Sequence, residues 1–141
     1  MNQQTLDQLS ELNLKGFSEA FVMQMQTPGY LHMPFEERLA HLIDSEIIFR
    51  KNYRMQRYLK ASKLKYKNAF LPDIEYNATR NIDRSVIATL AKNHWIDQGQ
   101  HIIITGATGT GKTYVACAMA YHAISCGYTA FYARISKLLA E

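Results

Sequence analysis

Eight residues in the last third of the chain, 106–113, read Gly-Ala-Thr-Gly-Thr-Gly-Lys-Thr and satisfy the pattern G-x-x-x-x-G-K-[S/T] at every fixed position. Glycines let a backbone turn tightly enough to point successive N–H groups at phosphate oxygens, and a following helix adds its positive end. The pattern therefore predicts a loop that binds a nucleoside triphosphate. The residues predicted to bind ATP are Gly106, Ala107, Thr108, Gly109, Thr110, Gly111, Lys112 and Thr113.

Two residues of this loop have individual roles in the prediction. Lys112 is expected to reach the β- and γ-phosphates as a point charge and is the candidate catalytic residue. Thr113 is expected to offer its hydroxyl to Mg2+, which makes ATP and Mg2+ the predicted cofactors. The alternative is a glycine-rich turn that only joins two elements. The flanking pattern favours the nucleotide loop, because 101–105 reads as a short buried strand and 111–125 as a helix.

The rest of the chain is predominantly helical by its hydrophobic spacing. Helices are predicted at 5–12, 17–26, about 34–62 and 83–91, with a loop-rich connector over 69–82. A second strand is predicted at 129–133, and a last helix begins at Ile135. These elements suggest a helical amino-terminal region over 1–68, a connector with a lead-in helix over 69–98, and the start of a nucleotide-binding domain over 99–141.

Basic residues are concentrated between Ile47 and Pro72, a span that contains no acidic residue. On a helix Arg50, Arg54 and Arg57 fall within about 60° of one another, which is the arrangement of a surface that contacts DNA phosphates. A solvated helix face whose long side chains cover apolar surface is the alternative. The candidate DNA contacts are Arg50, Arg54, Arg57 and Lys60.

Composition limits the class of protein. The formal net charge is +4, a mild basic excess that permits nucleic-acid binding without requiring it. Cys117 and Cys126 are expected on opposite sides of one helix, too far apart for a disulfide. There is no signal-peptide pattern and no apolar run of the roughly 20 residues that span a bilayer. We therefore expect a cytoplasmic protein without a membrane partner, and the histidine spacing does not predict a zinc site.

ATP hydrolysis on a phosphate-loop fold needs a further acidic residue after the loop. The only acidic residue after Thr113 is Glu141, and the only arginine is Arg134. Asp73 precedes the loop and follows a proline, which makes it a poor candidate. The chain therefore looks cut off inside its nucleotide domain, and whether it is an active enzyme stays open.

In combination, several segments resemble the IstB-like family of insertion-sequence ATP-binding proteins, relatives of the DnaC helicase loader within the AAA+ ATPases. They are Leu12 to Phe17, Phe35-Glu36-Glu37-Arg38-Leu39 with Leu42, Ile43, Glu46 and Arg50, then Asn81 to Arg84, and Ile102 to Ala116. The resemblance covers nearly the whole chain. Tyr114 departs from it, because such proteins usually have His at this position.

The resemblance implies a fold and a function. The fold is an α/β P-loop core of AAA+ type, incomplete here, with a predominantly helical amino-terminal region. The function is that of an ATP-binding transposition helper that assembles on duplex DNA without sequence preference, as a homo-oligomer, and acts with the transposase of the same element. A helicase-loader-like ATPase and a fragment that binds nucleotide or DNA without hydrolysis are the alternatives. A small P-loop kinase fits less well, because the helical extension before the loop is long.

The resemblance also has a consequence for stability. An AAA+ sheet places its first and second strands three steps apart, roughly 14 Å. The two predicted strands are therefore expected to be isolated or to pair with each other in a non-native way. Either arrangement leaves unpaired backbone edges, so we expect the chain alone to be marginally stable.

Overall fold

The computed structural model describes residues 3–76 and 81–140, and every regular element assigned in these two ranges is helical. Two short 3-10 segments, Pro28–His32 and Leu71–Asp73, separate longer helices. The α-helices are α1 (Gln3–Glu11), α2 (Lys15–Gln26), α3 (Phe35–Ser62), α4 (Arg84–Leu90), α5 (His94–Asp97), α6 (Lys112–Ser125) and α7 (Ile135–Ala140).

The contacts divide the chain into two compact units, Met1–Arg54 and Met55–Glu141, which we call the amino-terminal and carboxy-terminal units. The division falls inside α3, so this helix contributes residues to both units. The helix itself is predicted well by sequence. It begins after Pro34 with Glu36 and Glu37 in its first turn, where carboxylates favour the positive helix end.

The amino-terminal unit is held together by close approach of α2 to α3. A Cβ added at Gly16 would lie 2.5 Å from Phe49 Cβ and 2.8 Å from the Ser45 carbonyl oxygen, so only glycine fits there. Further along α2, Gln24 is buried and its Nε2 donates a hydrogen bond of 3.0 Å to the Arg38 carbonyl. The two helices are therefore joined by close backbone approach and by a polar contact.

The carboxy-terminal unit has an apolar core around α6. Cys117 and Ile124 on α6 are 1% exposed, and the end of α3 and the connector pack against them. At the end of α3, the buried Ser62 hydroxyl is satisfied within the helix, because it donates a hydrogen bond of 2.6 Å to the Leu59 carbonyl. The buried core residues are Leu64, Ala69, Ile74, Ile87, Val115, Cys117, Ala118 and Ile124.

The two predicted strands are not formed in the part of the chain that the structure describes, so the α/β character of the core is not visible. Residues 101–105 have no assigned element, and Ile103 is 86% exposed where a buried strand was expected. Residues 129–133 also lack an element, and the Tyr132 N–H donates to the Ser62 carbonyl of α3 at 2.7 Å instead of to a strand. A strand needs a paired neighbour, and these two segments do not pair with each other.

The cysteine prediction is confirmed, because Cys117 is buried, Cys126 is exposed and neither forms a disulfide. Among residues 3–76 and 81–140, no helix combines the length and apolar character required to cross a membrane.

Candidate functional site

The predicted nucleotide loop lies directly before α6. Gly109 and Gly111 have positive φ angles of 82° and 89°. Residues that carry a side chain rarely adopt this backbone region, whereas glycine adopts it readily. Gly111 is the residue that caps α6, and its carbonyl accepts the first helical hydrogen bond from Val115 at 3.1 Å. The glycines of the motif therefore sit where the chain reverses into the helix, as the sequence predicts.

The loop closes on itself through two short hydrogen bonds. The Lys112 ammonium donates to the Gly106 carbonyl at 2.5 Å, and the Thr110 hydroxyl donates to the Ala107 carbonyl at 2.7 Å. A Cβ at Gly106 would come within 3.1 Å of Thr110 Oγ1 and 3.5 Å of Lys112 Cδ. These contacts keep the loop residues close together, and the missing side chain of Gly106 leaves room for those of Thr110 and Lys112.

The electrostatics of the helix start favour an anion. The first N–H groups of any α-helix have no partner within the helix, and their partial positive charge adds to the helix dipole. At α6 no side chain caps these groups and no acidic residue lies in the first turn. Lys112 and Thr113 are the first two residues of this helix, so the lysine and threonine of the motif both lie in its first turn.

A cavity of about 590 Å³ opens beside the loop. Gly106, Thr110 and Lys112 form its polar side, and residues of α4 and α6 form an apolar side. Sequence reasoning did not assign this apolar wall to the site. A signal for it exists, because Val86, Ile87 and Leu90 share one face of α4 by helical spacing. The wall also includes Val115 and Met119 of α6, and the predicted strand segment adds Ile102, Ile103 and Ile104.

Asp83, the residue directly before α4, is one of the residues that line this cavity. Its carboxylate caps α4 by accepting hydrogen bonds from the Ser85 N–H at 2.9 Å and from the Ser85 hydroxyl at 2.7 Å. The hydroxyl hydrogen bond is the main cause that lowers the pKa of Asp83 below its ordinary value, and the backbone hydrogen bond adds to it. The next residue, Arg84, places its guanidinium 4.6 Å from the centre of the Tyr76 ring. Both contacts fix the chain at the rim of the cavity.

The four candidate DNA contacts all lie on α3 and are all exposed. Arg50 Nε is 3.7 Å from Glu46 Oε1, and the Arg57 guanidinium is 5.7 Å from the centre of the Tyr58 ring. In the carboxy-terminal unit, neither Arg57 nor Lys60 is among the residues described as lining the cavity beside the loop. Within this unit, Arg57 and Lys60 are therefore separate from the cavity beside the nucleotide loop.

A glycine loop that leads into a helix, with lysine at the first helical position, is the arrangement of P-loop nucleotide-binding proteins. The comparison with protein families makes this specific. The model of the IstB-like ATP-binding proteins matches residues 7–141, and the chain belongs to this family. The family implies a P-loop AAA+ fold.

Curated relatives agree with the family. An ATP-binding protein of insertion sequence IS1162 from Pseudomonas fluorescens is 41% identical over 141 residues, which is 100% of this chain and 61% of the relative. An insertion-sequence ATP-binding protein from Sinorhizobium fredii is 33% identical over 96% of this chain and 54% of its own length. An IS21-like ATP-binding protein from Bacteroides fragilis is 29% identical over 76% of this chain. The chain thus spans little more than half the length of the first two relatives.

Proposed function

We propose that residues 106–113 bind ATP with Mg2+, and that this binding controls the assembly of an insertion-sequence helper on DNA. The observation that carries the first part is the position of Lys112. Its ammonium lies against the Gly106 carbonyl, and both residues line the cavity beside the loop. A triphosphate can replace this single carbonyl contact with stronger, charge-assisted hydrogen bonds.

The residues also fit a magnesium ion that arrives with the nucleotide. Thr113 is half-buried in the first turn of α6, directly after Lys112, and its hydroxyl is the type of oxygen donor that Mg2+ accepts. The ion would neutralise phosphate charge when bound. The chain itself contributes the hydroxyl of Thr113, the ammonium of Lys112 and the amides of the loop.

The apolar wall beside the loop supports a nucleotide rather than free phosphate. Val86, Leu90 and Met119 face a cavity of about 590 Å³ that is continuous with the loop residues. Ligand sites commonly combine such an apolar wall with a few polar groups that fix orientation. We infer that the nucleobase lies against this wall while the phosphates reach the start of α6.

The remainder of the proposal rests on the family and on α3. The relatives are named as ATP-binding proteins of insertion sequences. We therefore propose that the chain acts with the transposase of its element, as a homo-oligomer on duplex DNA. The exposed Arg50, Arg54, Arg57 and Lys60 are the proposed phosphate contacts. We propose that the chain has three regions, residues 1–68, 69–98 and 99–141. Limited proteolysis tests these boundaries.

Nucleotide binding without turnover is the second candidate function of these 141 residues. Residues 114–140 contain neither Asp nor Glu, so no carboxylate in this range can orient water or complete the magnesium site. Binding is accordingly the measurement that tests the proposal for this chain, and turnover separates the two candidates.

Calorimetric titration of the chain with ATP and Mg2+ tests the nucleotide site. We expect Lys112→Ala to weaken binding by roughly 10- to 100-fold, because a charge-assisted contact contributes about 1.5–3 kcal/mol. Lys92→Ala, which removes an exposed cation that does not line the cavity, is the control and should bind as the parent does. Equal affinity of parent and Lys112→Ala would contradict the proposed site.

A further inference from the structure

A basic concavity, distinct from the cavity beside the loop, lies in the carboxy-terminal unit. Its volume is about 340 Å³, and its lining includes Lys63, Arg134 and Lys137. None of the described lining residues is acidic. Lys63 directly follows α3, Arg134 directly precedes α7 and Lys137 lies in α7, so residues about 70 positions apart line the same concavity.

The backbone holds these cations together. The Tyr132 N–H donates to the Ser62 carbonyl at 2.7 Å, which ties the segment before α7 to the last residue of α3. Lys63 follows with a left-handed φ of 55°, and its ammonium lies 5.9 Å from the centre of the Phe131 ring. The position of Lys63 is therefore set by a backbone hydrogen bond and by a cation–π contact.

The helix geometry brings the other two cations to the same side. The Leu138 N–H donates to the Arg134 carbonyl at 2.9 Å, so Arg134 is the residue that directly precedes α7 and accepts its first backbone hydrogen bond. Arg134 and Lys137 are three positions apart, which places their side chains next to each other on the helix surface. Arg134 and Lys137, at the start of α7, thus line the same concavity as Lys63, and the described lining contains no carboxylate.

We propose that this concavity binds the phosphate backbone of DNA, as an anchor in addition to the α3 contacts. An isolated phosphate would need only one such cluster, but here the cations continue along the chain. Arg57, Lys60 and Lys63 follow one another at intervals of three residues and are all exposed. A ligand with regularly repeated negative charges suits such a series, and each neutralised phosphate releases counterions. The inference rests on the proposed assembly on DNA.

The test is the salt dependence of duplex DNA binding by the full chain. The triple variant Lys63→Gln, Arg134→Gln, Lys137→Gln is compared with the charge-conserving triple variant Lys63→Arg, Arg134→Lys, Lys137→Arg. For each cation that contacts a phosphate, we expect neutralisation to reduce the slope of log affinity against log salt by about 0.9 and the affinity near 0.1 M salt by roughly tenfold. The charge-conserving triple variant should retain at least most of the parent slope.

A second control separates this cluster from a general effect of net charge. It neutralises three exposed lysines that do not line the concavity, Lys15, Lys65 and Lys92. We expect its slope to change less than that of the cluster variant. An equal loss of slope in both would overturn the proposal. The proposal would also be overturned if the cluster variant kept the parent's slope while its circular dichroism and thermal midpoint equalled those of the parent.

The same proteins are titrated with ATP and Mg2+, because a nucleotide also carries phosphates. We expect unchanged ATP affinity in the cluster variant. A loss of ATP affinity with an unchanged DNA slope would assign the concavity to the nucleotide and overturn the proposal. If the parent chain itself lacks salt-dependent DNA binding, the proposed assembly on DNA fails as well. If the parent binds and the cluster variant binds equally, only the anchor fails.

Discussion

The two units of the chain bury different kinds of side chain. The apolar cluster of the carboxy-terminal unit centres on Cys117 and Ile124, each 1% exposed. The amino-terminal unit buries Ala20 and Leu42, but also Gln24 and Glu46. The carboxy-terminal unit also buries two polar side chains, Ser62 and Asn93, but both are neutral. Among the described residues, only the amino-terminal unit buries a carboxyl group, that of Glu46.

The buried polar groups of the amino-terminal unit are incompletely satisfied. Both carboxylate oxygens of Glu46 and the Nε of Arg38 are inaccessible to solvent and have no hydrogen-bond partner. The nearest cation to Glu46, Arg50, is 3.7 Å away, too far for a hydrogen bond. Such groups cost free energy in a folded monomer. The comparison suggests that apolar burial stabilises the carboxy-terminal unit, whereas close helix contact stabilises the amino-terminal unit.

The largest effect is expected from the apolar core. Ile124→Ala removes a side chain that is almost fully buried, and the cavity left behind should destabilise the carboxy-terminal unit by about 2–5 kcal/mol. Trp95, the only tryptophan, lies in this unit and reports its unfolding by fluorescence in urea. Ile48→Ala, at a position 58% exposed, is the control and should change stability by about 0.5 kcal/mol or less. Equal urea midpoints for the two variants would show that burial of Ile124 does not stabilise the carboxy-terminal unit.

A smaller effect is expected from helix contact in the amino-terminal unit. Gly16→Ala places a methyl group 2.5 Å from Phe49 Cβ, so α2 and α3 must separate, at a cost of about 1–3 kcal/mol. Gly29→Ala adds a methyl group where nothing lies within 4 Å and serves as the control. Thermal unfolding followed by circular dichroism measures both. Greater stability of Gly16→Ala, through its better helix propensity, would show that the contact is not tight.

Local signals explain which parts of this fold sequence analysis predicts. The long helix begins after Pro34, and α6 is followed by Gly127 with a φ of 97°, both as expected. These boundaries depend on residues close in sequence. The predicted strands at 101–105 and 129–133 depend on distant partners, and the described residues do not supply them.

The candidate site divides in the same way. Gly109, Gly111 and Lys112 could be located from the motif, because its spacing is local. The apolar wall from α4 and the meeting of Lys63 with Arg134 could not, because tertiary packing creates them. Sequence analysis placed Lys63 only in a basic run and treated Arg134 as an isolated arginine. The distance between chemistry-bearing residues along the chain therefore sets the limit of prediction here.

The unsatisfied carboxylate permits a test in the opposite direction. Glu46→Met removes a buried carboxyl that accepts no hydrogen bond, together with its 3.7 Å ion pair to the exposed Arg50, and keeps the side-chain length. Since a pair with so exposed a partner contributes little, we expect unchanged stability or a gain of about 1 kcal/mol. Asp44→Met, two residues away at an exposed position, controls for loss of one negative charge. Urea unfolding followed by circular dichroism measures both. A clear loss of stability in Glu46→Met alone would mean that the carboxylate is stabilised by its surroundings, and that the contrast between the units is smaller.

The smallest effect concerns the capping residue of α4. Hydrogen bonds from Ser85 keep the pKa of Asp83 below 3.8 in the folded chain, so the capping contribution is present above the unfolded value and is lost as pH falls through the folded one. We expect the stability difference between the parent and Asp83→Asn to stay constant above about pH 5 and to shrink in more acidic solution. Ser85→Ala removes the hydroxyl, the main cause of the lowered pKa, but retains the backbone N–H. The pKa of Asp83, followed by carboxyl carbon NMR, should therefore rise towards 3.8 in that variant. An unchanged pKa would show that the backbone N–H groups at the start of α4 lower it without the Ser85 hydroxyl.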